Sequence, residues 1–377
     1  MAFDTITDVT FIGAYNLTQL HESLRTDGLS LLAPSLVFIC LLIAAGIPGN
    51  IISILVYGIQ LKSATGRYAI IALAVCDMIN CCLSIPVEIY IMSRYWTFDN
   101  GALCKMSRYL TYAMNNSSGL ILLAIAFERY RTICTPHKPK IQNSFILRSS
   151  IALVIIGSLL ALPALWIYGI QTDRFNVSMV NGDAISLTHE NGLEYSEVSR
   201  WVEVNDVYYS SVITKRCLID DSMRKSWLTY GHFLFLTIAS IVVWVILLIM
   251  YINIGRKIKR LRAGRGSINA EERIRSSAKR KKHATMMLFL ITVAFQFSFI
   301  PFLIITNIRF FTEPIWYDNL THVQKMVYHL ILRSYYLSCA VNPFIYCISS
   351  PNFRSAVIKL CQKLRNFLKD MTCNSHK

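Results

Sequence analysis

Asn342-Pro343-Phe344-Ile345-Tyr346 lies inside Met326–Ser350, a mostly apolar stretch long enough to cross a bilayer. The run sets a side-chain amide and a helix-disturbing proline at membrane depth. Asp77 intrudes in the same way within Tyr68–Ser93, and Arg129 stands at the foot of Tyr109–Phe127. Polar groups are expensive in hydrocarbon, so an ionisable side chain kept there is a functional candidate. Three such intrusions in three stretches point to one polar core shared by a bundle.

The composition agrees. Only 16% of residues are charged and 54% are apolar, against about 25% charged in soluble domains. Gly28–Leu61, Ser149–Thr172, Ser226–Gly255 and His283–Ile308 each exceed the ~20 residues needed to cross ~30 Å of hydrocarbon. With the three stretches above they make seven spans. If the segments after spans one, three, five and seven face the cytosol, they hold 25 of the 38 Lys and Arg residues. They hold only four acids, Glu128, Glu271, Glu272 and Asp370. That asymmetry is the positive-inside rule, and it places the N-terminus outside and the C-terminus in the cytosol. The expected fold is therefore an all-α membrane protein, a seven-helix bundle with a cytosolic amphipathic eighth helix. Residues 1–30 form an outer tail and 31–350 the transmembrane domain. That domain includes a long second outer loop at 171–226 and a third inner loop at 255–282. Residues 351–377 supply the amphipathic helix and tail. Met1–Ser30 lacks the basic start and apolar run of a cleaved signal, so the first span is expected to direct insertion. The net charge of +16 lines one membrane face, which suits lipid head groups and an acidic cytosolic partner, not nucleic acid.

Eleven cysteines cannot all pair. Nine fall in spans or on the cytosolic side, where they should stay reduced. Cys104, at the outer start of span three, and Cys217, in the second outer loop, face an oxidising compartment and are expected to pair. Glycosylation sequons at Asn16, Asn176 and Asn319 all fall on expected outer surfaces. The second outer loop carries nine acids against six bases. A loop of this length either covers and selects a ligand or is a flexible acidic flap. After span seven, Ser350-Pro351 reads as a helix start. Phe353, Val357, Leu360, Cys361, Leu364 and Leu368 then form an apolar stripe suited to the inner membrane surface. Cys361 or Cys373 is a candidate for palmitoylation.

These motifs together resemble a rhodopsin-like, or class A, G-protein-coupled receptor, of the kind that binds neuropeptides. The resemblance covers residues from about 30 to 370. It rests on Gly49-Asn50, on Leu73-Ala74-Val75-Cys76-Asp77, and on Trp96-Thr97-Phe98. It rests also on Cys104, on Glu128-Arg129-Tyr130, on Tyr251, on Pro301, and on the run at 342–346. It implies a receptor at the plasma membrane that activates a heterotrimeric G protein by moving its sixth helix, with arrestin as a further partner. It implies a sodium ion held by Asp77 and Ser118, near Asn50 and Asn342, and no other cofactor. Glu128 would hold Arg129 at rest. On activation Arg129 would turn toward Tyr251 and Tyr346. Pro301 and Pro343 each remove a backbone hydrogen bond, should kink their helices, and give the bundle a lever.

Several positions depart from the family pattern. Span six reads Ser298-Phe299-Ile300-Pro301, with Phe299 where a tryptophan is usual. Span five has Val243 in place of its proline, and span three has Gly119 in place of a branched residue beside Phe295. Lys281 stands where many relatives place an acid that locks the arginine, so ligand-independent activity is expected. Thr111 replaces the aspartate of amine receptors and Tyr336 the lysine of opsins, so those ligand classes are excluded. The outer halves offer Glu88, Arg108, Arg309, His329 and Arg333. Arg108, Tyr112 and Asn115 share one helical face, and His329, Arg333 and Tyr336 another. Charges of both signs at a wide mouth suit a peptide with charged or amidated ends. The alternative within the family is a small acidic or lipid ligand gripped by Arg108 and Arg333. A transporter or channel would more often show internal repeats, and none is visible. An enzyme is not expected, because no nucleophile–base set, metal spacing or phosphate loop occurs.

Overall fold

The computed structural model describes residues 9–61, 66–137, 139, 141–180, 183–189, 202–204, 207–224, 226–263, 268–312, 317 and 319–374. Their side chains are described except at 9–24, 27, 174–212, 261–282, 284, 310–312, 364 and 367–374. Among the described residues, six helices are long and apolar enough to cross a membrane. They are Gly28–Gln60 (span one), Arg67–Ser93 (two), Gly101–Cys134 (three), Asn143–Ile167 (four), Trp227–Arg260 (five) and Thr285–Arg309 (six). Leu41, Ile155, Ile238, Ile241 and Phe297 stand exposed on their outer faces, as expected of rods apolar on every side and surrounded by lipid.

The seventh span is broken into His322–Ile331, a 3-10 turn at Ser334–Leu337, and Ser338–Ser349. Its start is fixed by a capping box between Thr321 and Gln324. Its lower half packs against span one through glycine. A Cβ on Gly49 would come within 2.8 Å of the Pro343 ring, so only glycine allows this approach. In span two a π-helical turn at Asn80–Ser84 precedes Pro86. The wider turn is closed by the Ile85 amide, which donates to the Asn80 carbonyl.

Several boundaries differ from the sequence reading. Span one continues a helix that begins at Val9, inside the stretch read as a tail. Span three is longer at both ends than Tyr109–Phe127. Asn100 caps it by accepting from the Leu103 amide at 2.9 Å, and Cys104 lies at its outer start, as the sequence reading placed it. The helices of spans five and six extend to Ala263 and back to Ile268, so much of 255–282 is helical, while 264–267 lie outside the described residues. Span four ends at Ile167, and Tyr168–Thr172, read as helix, is strand.

That strand opens the main addition to the expected architecture. The loop read at 171–226 carries a four-stranded antiparallel sheet of β1 (Tyr168–Val180), β2 (Asp183–His189), β3 (Val202–Val204) and β4 (Val207–Ile219), in the order β2-β1-β4-β3. Its main ladder runs from Tyr168↔Ile219 to Met179↔Tyr208. Residues 207–214, Val-Tyr-Tyr-Ser-Ser-Val-Ile-Thr, are dense in strand formers. The all-α description holds for the membrane bundle, which this sheet caps. Two fastenings hold it. Cys104 and Cys217 form a disulfide. Lys215 exchanges backbone bonds with the segment after span two, accepting from Phe98 N at 2.9 Å and donating to Trp96 O at 3.0 Å.

Candidate functional site

Under the sheet three charged side chains converge. Glu88 of span two lies 2.8 Å from Arg108 of span three and 3.1 Å from Arg333 of span seven. Arg333 sits at the junction between the upper helix of span seven and its 3-10 turn, and its Nη1 also donates to the His329 carbonyl at 2.9 Å. His329 Nε2 is 2.9 Å from the Tyr317 hydroxyl. A turn deeper, Thr111 and Tyr336 lie 3.3 Å apart. The Tyr112 hydroxyl lies 2.8 Å from that of Tyr168, at the start of β1. Phe302 and Tyr335 complete an aromatic wall with ring centroids 5.0 Å apart.

Sequence reasoning named most of these residues, and the fold brings Glu88, Arg108, His329 and Arg333 into one corner. It places others apart. Asn115 is 3.3 Å from Asn80 in the bundle interior. Phe299 stacks on Phe295 at 6.0 Å. The Phe295 ring lies over Gly119, where a Cβ would be 3.4 Å away, so the ring takes the space a branched side chain would fill. The charge of Arg309 reaches His329. The reading did not find Tyr168, Tyr335, or the cluster around Asp173. Arg216 pairs with Asp173 and stacks on Tyr95 and Trp96, with Arg224 3.4 Å from the same carboxylate. Burial alone would raise the Asp173 carboxyl, but Arg216, the Gln171 amide and Arg224 outweigh it and hold the group at about 2. One signal was available: Arg216 adjoins Cys217, so the disulfide carries it to the mouth.

In the bundle interior Asn342 donates to Asp77 at 2.8 Å, and Asn50 ties span one to the Cys339 carbonyl at 2.7 Å. Asp77 is 1% exposed and has no cationic partner among the described residues. The Ser118 hydroxyl and the Asn50 side-chain oxygen lack hydrogen-bond partners. A buried carboxylate and two unsatisfied oxygens in the bundle interior are the kind of donors that suit a hard monovalent cation. Near Pro301, the Ser298 carbonyl accepts from the Ser334 hydroxyl of span seven at 2.7 Å.

At the opposite end Glu128 lies 3.4 Å from Arg129. Gly66, in a left-handed conformation with φ of 76°, turns the chain into span two against this pair. The Tyr251 hydroxyl is 3.1 Å from that of Thr292. Tyr346 packs on Tyr57 and Phe353, with centroids 5.7 and 5.4 Å away. The final helix begins at Pro351, with Ser350 accepting from Phe353 N. Phe353 and Ala356 are buried against the bundle. Cys361 is free and exposed, and Asn319 is exposed. The side chains of Asn16, Asn176, Lys281 and Cys373 lie outside the described residues.

The family described as "7 transmembrane receptor (rhodopsin family)" matches residues 49–183 and 198–346. Neuromedin-U receptor 2 of Homo sapiens is 27% identical over 316 residues, covering 82% of this chain and 67% of that protein. The neuromedin U receptor homolog nmur-2 of Caenorhabditis elegans is 23% identical over 381 residues, covering 96% and 87%. Growth hormone secretagogue receptor type 1 of Mustela putorius furo is 24% identical over 325 residues, covering 85% and 78%.

Proposed function

The chain belongs to the rhodopsin family of seven-transmembrane receptors, and from that premise we propose that it binds an extracellular peptide and activates a heterotrimeric G protein through its sixth span. It is a multi-pass membrane receptor and not an enzyme. The observation that carries the proposal is the construction of span seven. Arg333 stands in the mouth, a 3-10 turn follows, and within the same span Asn342 holds Asp77. A ligand that moves Arg333 therefore pulls on the helix that closes the core. Ser334 links the turn to span six at Ser298, which gives the pull a route to the Pro301 lever. The names of the relatives, which include neuromedin U and motilin receptors, favour a peptide over a small acidic or lipid ligand.

In this reading the sheet end faces outward, with Asn319 glycosylated, and the basic end faces the cytosol, where arrestin is a second partner. The helix from Pro351 lies along the inner leaflet with Cys361 palmitoylated. Asp77 and Ser118 would hold sodium at rest, and the ion would supply the positive charge that the Asn342 amide lacks. Tyr251 lies on Thr292 and Tyr346 on Tyr57, and on activation Arg129 would turn toward both tyrosines.

The test is guanine-nucleotide exchange on a G protein in receptor-containing membranes, screened against a peptide library. A peptide-dependent rise is expected, and Arg129→Ala should cut it at least about tenfold, the loss of about 1.4 kcal/mol of coupling. Substrate flux in proteoliposomes with no exchange activity would replace the receptor reading with transport.

A further inference from the structure

Two guanidiniums share one carboxylate beneath the sheet. Glu88 cancels one positive charge, and one is left in a cluster whose side chains are 1% (Glu88), 12% (Arg108) and 8% (Arg333) exposed. The two arginines are not equivalent. Arg333 shares its Nε between Glu88 at 3.1 Å and the Met92 sulfur at 3.0 Å, and its Nη1 donates to the His329 carbonyl at 2.9 Å. Arg108 meets Glu88 through Nη1 and stands over the Tyr168 ring, whose centroid is 5.9 Å away. A guanidinium carries five N–H donors in a planar fork that matches a carboxylate, so Arg108, engaged through Nη1, retains more of that fork than Arg333, engaged through Nε and Nη1. The surroundings add to the imbalance. Arg216, Arg309 and Lys325 all act on His329 in the same corner. The acid above it, Asp173, is already closed by Arg216 and Arg224.

A buried charge without a counter-charge is costly, and an arriving anion removes that cost where an arriving cation would add to it. Resting on the peptide-receptor reading, we propose that Arg108 receives a carboxylate of the ligand, and that Glu88 is a positioning residue that aims the two arginines without touching the ligand. A free C-terminus and an acidic side chain share this chemistry. The aromatic wall of Tyr112, Tyr168, Phe302 and Tyr335 would then pack the residue that bears the acid.

The test needs no knowledge of the natural ligand. The purified receptor is unfolded thermally with N-acetyl-phenylalanine or its amide, each at millimolar concentration. The acid should raise the melting temperature by about 2 °C or more and the amide should not. Arg108→Gln should abolish the difference. Arg108→Lys, which keeps the charge, should keep part of it, and this separates loss of the anion site from general damage to the fold. No shift with the acid, equal shifts with both probes, or an acid shift that survives Arg108→Gln overturns the proposal. Matched peptides with free and amidated ends in the nucleotide-exchange assay separate the two readings. Preference for the amidated forms sinks the carboxylate site and leaves the receptor. An acid-specific thermal shift with no peptide response sinks the peptide and leaves the anion site. Peptides acidic only in a side chain distinguish the two sources of carboxylate.

Discussion

Glu88 and Asp77 are both carboxylates of span two, both 1% exposed, and they are built into opposite surroundings. Glu88 has two guanidiniums from two other helices. Asp77 has one neutral amide, from Asn342. The first is neutralised by the protein itself and joins spans two, three and seven at the mouth. The second is left to a proton or a cation, so its state can change without any side chain leaving. One end of the same helix is thus a fixed clamp and the middle is an adjustable joint. A ligand has reason to act on the clamp's surplus charge, and an ion has reason to act on the joint.

The comparison breaks first at Glu88. Glu88→Ala should cost about 3–5 kcal/mol by leaving two buried guanidiniums facing each other, seen as lost surface expression and a lower melting temperature. A tolerated alanine would mean that the clamp is decorative. Asp173 sharpens the point, because it repeats the two-arginine arrangement outside the hydrocarbon. Its folded carboxyl titrates at about 2, below the ordinary 3.8. The stability it adds is complete above about pH 4 and is lost as pH falls toward 2. Asp173→Asn should therefore cost about 2 kcal/mol at neutral pH and nothing further at pH 2, measured by thermal unfolding across pH. The smallest effect is expected at Asp77. Asp77→Asn should change stability in sodium-free buffer by less than about 1 kcal/mol. It should also remove any rise in melting temperature when sodium replaces a large organic cation. A rise that persists in the asparagine variant would move the ion elsewhere.

The membrane bundle was legible because lipid imposes a simple length rule, and Gly28–Gln60 or Trp227–Arg260 satisfy it without reference to neighbours. Asp77, Asn342 and Arg129 were legible because they violate that rule. The sheet was missed for the converse reason. Polar residues such as Asp173 and Lys215 alternate with β-branched ones, and a composition of nine acids and six bases masks the period-two pattern. Glu88 and Arg333 were found as charges, but not as partners. They are 245 residues apart in sequence, and only the broken turn at Ser334–Leu337 sets Arg333 against span two.

The disulfide at Cys104 and the backbone exchange at Lys215 both anchor the sheet along the wall made by spans two and three. Spans two and three are thus stitched to the canopy as one frame, and span seven is tied to that frame through the Glu88–Arg333 pair at the mouth's clamp. Under the proposed function, a ligand entering beneath the canopy would press on span seven through Arg333, so admission and response would share a single mechanical degree of freedom.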